Sequence, residues 1–436
     1  MERSSNSIPK NLAVPAGWTV VPLRHLFVLS GGYQISRSQM DSQGMPCIHY
    51  GDIHGRYGFS VDINSKSIGR VDNPEEFGVT SFVGQGDFLF AGSSEDLEGS
   101  GNFTLVEGEG HAIAGSDTII VHSPLIEAPR FFAYQFDSLF VREQIRSQLM
   151  GVKVFHPSQR TLKLVRLLLP PVPEQFKIAK FLDAKAAEID DLLDALQRQR
   201  KLLARYKREL IAHVVTKGLD HDVPMKDSCS AWIGEIPKHW DLLSLKNLLT
   251  RQSQKGKPSW RVLSVERDRG IVDRKSEGSP DNHNRLPDDL SKYLVVHKNQ
   301  FVMNKMKAWQ GSYGVSAYNG IVSPAYFVFD LAPSINADFF NWAIRSASYI
   351  PFFGRDSYGI RTDQWDFKIQ ALRNIPIIVP PKEEQIIITK YLFDRVSKID
   401  SLITDIGHQV KLLEKYRKQV INDVVTGKVH VGEETA

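Results

Sequence analysis

Hydrophobic residues recur at alternating spacings of four and three residues in two long stretches of the chain, 170–216 and 380–426. A spacing that averages 3.5 residues keeps one stripe of a helix turned toward a partner helix. The apolar positions of the first stretch, each matched by an apolar residue 210 positions later, are Ile178, Leu182, Ile189, Leu192, Leu196, Leu203, Tyr206 and Leu210. We predict two long helices, each of which has the other as its simplest partner.

The predicted stripe is interrupted by a polar residue at the same two places in both stretches. These residues are Lys185 and Gln199 in the first stretch, and Arg395 and Gln409 in the second. Polar residues buried in such a stripe commonly fix the register of the paired helices. We therefore expect Gln199 and Gln409 to be buried where the helices meet.

The two stretches also share their ends. Each begins with Pro-Pro-x-x-Glu-Gln and ends with Val-Val-Thr, and the matched polar and aromatic positions are Glu174, Gln175, Tyr206, Glu384, Gln385 and Tyr416. A Glu in the first turn favours a helix through its dipole, and Gly218 and Gly427 follow the stretches as helix C-caps do. A long unit that occurs only twice indicates two similar halves, with helices of roughly 60 Å.

The segments between the repeats differ from each other. Trp18 and Trp240 open the two halves at an offset of 222 residues instead of 210, so the second half is shorter in its middle. Short β-rich runs separated by Gly, Asn, Asp, Ser and Pro predict strands joined by irregular loops. Helices are predicted at 131–150 and 337–348.

We therefore predict an α+β protein with two β-rich globular domains joined by two long helices. The predicted boundaries are a first domain at 1–169, a central helical spacer at 170–217, a linker at 218–236, a second domain at 237–379, a distal helical spacer at 380–427 and a tail at 428–436.

Composition indicates an ordinary globular protein of several domains. The 436 residues are 42% hydrophobic and 24% charged, and the net charge is only +4. Cys47 and Cys229 lie too far apart in sequence to indicate a disulfide framework or a metal site. We find neither a signal peptide nor an apolar run long enough to span a membrane, and we expect a cytoplasmic protein.

Motifs for catalysis are absent from the sequence. It contains no phosphate-binding P-loop, no dinucleotide-binding glycine motif, no zinc-protease motif and no nucleophile elbow. The histidines are not at metal-ligand spacing. A carboxylate site could be assembled from Asp52, Glu95, Asp96 and Glu98, but solvated loop acids are the favoured interpretation.

Several predicted loops instead combine cationic, aromatic and amide side chains. Such residues contact phosphates or base edges in nucleic-acid-binding proteins, although each one taken singly is as well explained by the core or by a solvated surface. The candidates are Gln34, Arg37, Arg56, Tyr57, Lys153 and His156 in the first half, and Asn304, Lys305, Lys307, Trp309, Gln310, Tyr358 and Arg361 in the second.

Two unlike segments, each closed by Pro-Pro-x-x-Glu-Gln and a long helix ending in Val-Val-Thr, resemble the specificity subunit of type I restriction–modification systems. The string Trp-Ile-Gly-Glu-Ile-Pro-Lys-His-Trp at 232–240 looks like that family's entry to its second target-recognition domain. The segments 304–311 and 321–325 look like recognition segments, and 86–90 looks like a less typical counterpart. In the first domain, 91–94 departs from the pattern of the family.

The resemblance implies a DNA-recognition subunit without catalytic activity. Each globular domain would read one half of a split, asymmetric site in double-stranded DNA. The helices would pack antiparallel, set the gap between the half-sites and dock two methyltransferase subunits, with restriction subunits joining the complex and one copy of this chain in each. The chain would hold no cofactor, because S-adenosylmethionine, ATP and Mg²⁺ would belong to the partners.

Two other functions are compatible with parts of the sequence. A coiled-coil scaffold that binds protein would explain the repeat, but not the loops rich in Arg, Asn, Gln and aromatic residues. A fused restriction enzyme would require catalytic motifs and additional length.

Overall fold

The computed structural model describes residues 14–35, 39–40, 43–72, 79–149, 151, 153–274, 286–359 and 365–432. The chain divides into two compact units. The first is Met1–Leu196 with His408–Ala436, and the second is Gln197–Gly407. Each unit therefore contains one β-rich domain and one half of each long helix, and the predicted α+β class is confirmed.

The first unit contains strands β1 to β11 and helices α1 to α4 in its described residues. The strands are β1 Thr19–Pro22, β2 Val28–Gly31, β3 Met45–Ile48, β4 Ser60–Asp62, β5 Gly69–Val71, β6 Phe82–Gly84, β7 Phe88–Ala91, β8 Phe103–Glu107, β9 His111–Ala114, β10 Thr118–His122 and β11 Arg166–Leu169. The helices are α1 Tyr50–Gly55, α2 Pro129–Asp137, α3 Leu139–Arg146 and α4 Gln159–Lys163. The predicted helix at 131–150 is thus two helices, because Ser138 is extended and its side chain caps α3.

The strands of the first unit form sheets in the orders β2-β10-β7-β8-β4, β5-β3-β9-β6 and β1-β11. A cluster of aromatic side chains fills the core beneath the first sheet, where Phe88, Phe90 and Phe136 meet edge to face with ring centroids 4.9 and 5.2 Å apart. Ile178 and Leu182 from the first long helix, and Ile421, Val424 and Val425 from the second, complete the same core.

The first long helix, α5, is Val172–Lys217, and the second unit follows with strands β12 to β25 and helices α6 to α8. The strands are β12 Met225–Asp227, β13 Glu235–Pro237, β14 Asp241–Ser244, β15 Leu249–Gln252, β16 Leu263–Glu266, β17 Gly270–Asp273, β18 Leu294–Val296, β19 Phe301–Asn304, β20 Tyr313–Val315, β21 Gly320–Val322, β22 Tyr326–Leu331, β23 Ser357–Tyr358, β24 Asp366–Phe367 and β25 Pro376–Val379. The helices are α6 Leu245–Leu248, α7 Ala337–Ile344, α8 Ile350–Arg355 and the second long helix, α9 Lys382–Val425.

The main sheet of the second unit has the order β15-β22-β19-β20, and small pairs surround it. Val214 and Val215 from the end of α5 and Ile388 and Leu392 from the start of α9 lie in its core. The predicted linker at 218–236 is partly folded: β12 pairs with β13, and Ile236 is fully buried in the same core.

The long helices agree with prediction in extent and termination. Gly218 and Gly427 follow them with φ of +80° and +68°, the left-handed conformation of a helix C-cap. In each unit the start of one long helix and the end of the other pack into one core, so the two halves are antiparallel there.

From Leu192 and Leu402 onward, the predicted stripe is wrong at every second position. Gln199 and Gln409 are exposed, and Leu192, Leu402, Tyr206 and Tyr416 are about half exposed. The more buried positions lie one residue later, at Ala186, Leu193, Lys207 and Val214 in α5 and at Val396, Ile403, Val410, Arg417 and Val424 in α9. Both stripes have the same period, but only the observed one runs into Val214 and Val424, which the domain cores bury.

One ion pair joins the two long helices within each unit, and the two pairs are related by the repeat. Lys207 Nζ lies 2.7 Å from Asp400 Oδ1 in the second unit, and Arg417 Nε lies 3.4 Å from Asp190 Oδ1 in the first. Lys207 and Arg417 occupy matched positions, as do Asp190 and Asp400. These charged residues, instead of the two glutamines, are the polar contacts of the observed stripe.

Candidate nucleic-acid interface

Each domain is attached to its long helix by the same contact. Trp18 Nε1 donates to Glu174 at 3.1 Å, and Trp240 Nε1 donates to Glu384 at 2.8 Å. The adjacent strands β1–β11 and β14–β25 pair antiparallel in equivalent registers, with Thr19 opposite Leu169 and Asp241 opposite Val379. Two unlike domains are therefore mounted in one way on the repeated helices.

The Gln of the repeated motif is internal in both copies. Gln175 Nε2 donates to the carbonyl of Pro170 at 2.9 Å, and Gln385 Nε2 donates to that of Pro380 at 2.7 Å. Gln385 also accepts from the amide of Asn336 at 2.6 Å. Gln175 and Gln385 are buried, so each side chain bonds within its own chain and exposes little surface to a partner.

Two loops leave the main sheet of the second unit at the same edge. Gln252 of β15 pairs with Val328, and Asn304 of β19 pairs with Tyr326 on the same strand β22. Since β15 and β19 both run antiparallel to β22, the segments after Gln252 and after Asn304 emerge together. The predicted candidates Asn304, Lys305, Lys307, Trp309 and Gln310 lie on the second of these segments.

The hairpin β23–β24 joins this edge. The amide of Phe367 donates to the carbonyl of Lys305 at 2.8 Å, and the rings of Trp309 and Trp365 pack with centroids 4.9 Å apart. Tyr358 at the start of this hairpin is 67% exposed. The structure therefore brings Tyr358 to the 304–310 segment, while Arg361 lies outside the described residues.

A basic segment that begins within β15 and continues to Arg261 was not among the predicted candidates. Residues 250–261 contain Arg251, Lys255, Lys257 and Arg261 but no acidic residue. The ammonium of Lys257 lies 4.0 Å from the centroid of the Trp260 ring, a cation–π contact. This basic segment, 250–261, was recognisable as a positive run containing an aromatic residue.

The first unit repeats this topology. Gly31 at the end of β2 pairs with Ile119, and Ala91 at the end of β7 pairs with Thr118, so the segments that follow them emerge at one edge. Gln34 lies on the first segment and is exposed, while Arg37 is outside the described residues.

Two of the remaining candidates of the first unit, Lys153 and His156, lie near the loop 92–102, which joins β7 to β8. Ser94 and Phe155 exchange backbone hydrogen bonds of 2.9 and 2.8 Å, which bring the exposed Lys153 and His156 to this loop. Arg56 instead donates to the carbonyl of Ser67 and lies 3.9 Å from Asp52. Tyr57 is partly buried, and this burial is the main reason why the pKa of its hydroxyl is raised.

Nothing in the described part of the chain forms a cluster of His, Cys, Asp and Glu able to hold a metal ion. Burial, with a smaller contribution from Asp52, raises the pKa of Cys47 to about 12, so its thiol stays protonated and unreactive. No helix among the described residues is both long and apolar enough to cross a membrane.

No protein-family model matches the chain. The MjaVIII type I restriction enzyme specificity subunit of Methanocaldococcus jannaschii is 28% identical over 316 residues, covering 68% of this chain and 70% of that protein. The putative MjaX specificity subunit of the same organism is 22% identical over 436 residues, covering 96% and 95%. The EcoBI specificity subunit of Escherichia coli is 32% identical over 112 residues, about a quarter of each chain.

Solved structures agree in fold. A chain from a study of complex assembly and conformational transition in a type I R-M system matches with a TM-score of 0.70 at 15% identity, covering 96% of this chain and 100% of that one. The HsdS subunit of Thermoanaerobacter tengcongensis matches with a TM-score of 0.53 at 15% identity, covering 97% and 100%. The internal repeat, the fold and the curated relatives together show that this chain is similar to type I restriction specificity subunits.

Proposed function

We propose that this chain recognises DNA for a type I restriction–modification complex, and that each β-rich domain reads one half of a bipartite, asymmetric site. One observation carries the proposal. Two domains that are mounted identically, through Trp18 to Glu174 and Trp240 to Glu384, present different polar loops at the corresponding edge of their main sheets. Two domains that are attached in the same way but carry different loops are suited to reading two half-sites of different sequence.

The chain itself is proposed to be non-catalytic and cytoplasmic. Two methyltransferase subunits would supply adenine methylation, and restriction subunits would supply cleavage. The two long helices would act as the spacer that sets the gap between half-sites. One copy of this chain would serve each complex.

Docking of two identical partners is supported by a surface that occurs once in each unit. In the first unit Phe176 and Leu192 of α5 and Leu412 and Tyr416 of α9 are each about half exposed or more, and the repeat-matched residues of the second unit, Ile386, Leu402, Leu202 and Tyr206, are exposed to a similar degree. Large exposed apolar residues are typical of interaction surfaces, and the same four positions of the repeat carry them in both units. We name these sets the first and second docking patches.

A charge placed in one docking patch is expected to remove one partner only. Leu412→Asp should reduce the stoichiometry from two methyltransferase subunits to one, because it buries an unpaired carboxylate at that contact. Leu412 is 66% exposed, so the fold should be little affected. Native mass spectrometry measures the stoichiometry.

The matched variant Leu202→Asp alters the second docking patch, where Leu202 is 65% exposed. It should also leave one partner bound, and the double variant should leave none. Two bound partners in the double variant would contradict docking at these patches.

Selection from a random-sequence duplex library tests the proposed function. The chain in complex with a methyltransferase partner should enrich one bipartite motif with a fixed gap. A scaffold would enrich no motif, and a fused restriction enzyme would cleave or methylate DNA without partners. Either result would overturn the proposal.

The basic segment 250–261 is expected to bind phosphates and not bases. Replacing Lys255 and Lys257 by Ala should weaken binding to specific and random duplexes alike. Each phosphate contact contributes roughly 0.9 to the slope of log affinity against log salt, so the double variant should lower that slope by up to about two. Titrations at several salt concentrations measure the slope.

Lys246→Ala is the control, because Lys246 precedes β15 and lies at the opposite edge of the main sheet. It should leave the slope unchanged. If the Lys255 and Lys257 variant instead changed the selected base sequence, the segment would be reading bases.

A further inference from the structure

A continuous series of polar contacts runs through the first unit from α9 to the loop 92–102. It starts at Arg417, which bridges two acids: Nε lies 3.4 Å from Asp190 on α5, and Nη1 lies 3.7 Å from Asp137 at the end of α2. The side chain of Arg417 is only 25% exposed. The series therefore begins within the contact between the two long helices.

Arg142 on α3 continues the series in two directions. Its Nη2 donates to Asp137 Oδ1 at 2.9 Å, and its Nη1 donates to Asn102 Oδ1 at 2.9 Å. The Arg142 side chain is 16% exposed and that of Asp137 is 21% exposed, so solvent screens this pair weakly. A guanidinium is planar, so this fork fixes the angle between the two acceptors.

Asn102 and His54 carry the series to the loop. Since Asn102 uses its oxygen to accept from Arg142, its amide nitrogen faces His54 Nδ1 at 3.0 Å. Nδ1 must then be the acceptor, and His54 Nε2 carries the proton and donates to the carbonyl of Ser93 at 2.7 Å. Each bond thus fixes the direction of the next, from Arg142 to Ser93.

The loop borders a cavity of about 880 Å³, which is lined by His54, Asn102, Arg142 and Arg417 among others. Apart from the series, the loop is held by the Ser94–Phe155 backbone pair, by the bond from the amide of Gly92 to the carbonyl of Asp117, and by contacts of Glu98 with Arg146 and Lys418. The cavity leaves this side of the loop without close packing. Directional hydrogen bonds are consequently a main determinant of where the loop lies.

In the described part of the second unit, the matched contact between α5 and α9 does not continue into the β-rich domain. Lys207, which matches Arg417, contacts Asp400, and within the described residues its ammonium has no second acidic partner. Among the described residues, the helix contact is thus connected to a loop in the first unit but not in the second.

We propose that Arg142 and His54 are positioning residues that fix loop 92–102 for the first half-site, and that Arg417 ties this geometry to the spacer helices. The proposal rests on the proposed DNA-recognition function. It assigns no base contact to Arg142 or His54. Their effect is exerted through the position of the loop, so it is confined to one half of the recognised site.

Library selection with the full complex tests the proposal using Arg142→Lys and His54→Phe. Lysine keeps the charge but cannot bond both Asp137 and Asn102 in a fixed fork. Phenylalanine keeps an aromatic ring but removes both hydrogen bonds. Discrimination at the first half-site should fall about tenfold or more, the scale of one good base contact, while the second half-site should be selected as in the unaltered protein.

Selection of the second half-site is an internal control for folding, and Arg160→Lys, an exposed arginine of α4, is the matched control for the arginine change. An unchanged first half-site, or an equal loss at both half-sites, would overturn the positioning role. If the unaltered complex selected no bipartite motif, the proposed function itself would have failed, which is a separate outcome.

Discussion

Inserting seven residues after Leu196 and seven after Ile406 is expected to widen the gap between the recognised half-sites by about three base pairs. Seven helical residues add roughly 10 Å, and duplex DNA rises about 3.4 Å per base pair. Leu196 and Ile406 are matched positions of the repeat, so both long helices lengthen together. Neither half-site should change, because the loops of both domains stay as they are. Library selection measures gap and half-sites at once.

The length of the insertion provides the control. Seven residues nearly complete two turns and keep the observed stripe in register, whereas two residues rotate everything beyond them by about 200°. The two-residue insertion should therefore turn Lys207 and Val410 away from the helix contact and abolish assembly. Retained activity with an unchanged gap after the seven-residue insertion would refute the spacer role.

Trp240→Ala is expected to lower the free energy of unfolding of the second unit by about 3–5 kcal/mol, the usual effect of emptying a buried aromatic site. Trp240 is fully buried. A Cβ atom added at Gly218 would lie 3.1 Å from the Trp240 ring. The substitution also leaves Glu384 without its indole donor. Urea unfolding followed by fluorescence measures the change.

Trp240→Phe separates packing from hydrogen bonding. It keeps most of the apolar contact and should lower the free energy of unfolding by only about 1–3 kcal/mol, the effect of a lost hydrogen bond to a carboxylate. Trp18→Ala is the matched change in the first unit, where Trp18 is 8% exposed and bonds Glu174. An effect of Trp240→Ala below about 1 kcal/mol would show that this attachment is not a principal support of the domain.

The helices were predictable from sequence because their period persists over many turns, and their Gly caps require a left-handed backbone. The buried stripe was not, since Leu192 and Leu193 are both apolar and satisfy the same period. Which of them faces the partner depends on how Val214 and Val424 enter the cores. That information lies in tertiary packing, which a one-dimensional pattern does not contain.

The candidate interface was predictable in composition but not in arrangement. Asn304, Trp309 and Tyr358 converge as a consequence of strand pairing, and nothing in their spacing required the Phe367 to Lys305 bond. The basic segment 250–261 could have been found from its charge alone. Arg142 and His54 could not, because neither stands out in the sequence. Each acquires its role from Asn102, which lies 40 positions before Arg142 and 48 positions after His54.

The side chains of the repeated motif Pro-Pro-x-x-Glu-Gln make contacts within their own chain. Glu174 and Glu384 bind tryptophans of their own domains, and Gln175 and Gln385 are buried against backbone carbonyls. A polar pair at a helix start has the same appearance whether it faces a partner or its own chain. Only burial distinguishes the two.

The composition of the two cores has a consequence for biosynthesis. The second unit, Gln197–Gly407, is continuous in sequence, whereas the first unit needs Ile421, Val424 and Val425 to complete its core. On the ribosome the second unit can therefore fold as soon as its own residues emerge. The N-terminal domain is made first, but it must wait for the last turns of α9, so its closing contacts have the greatest sequence separation and should form late.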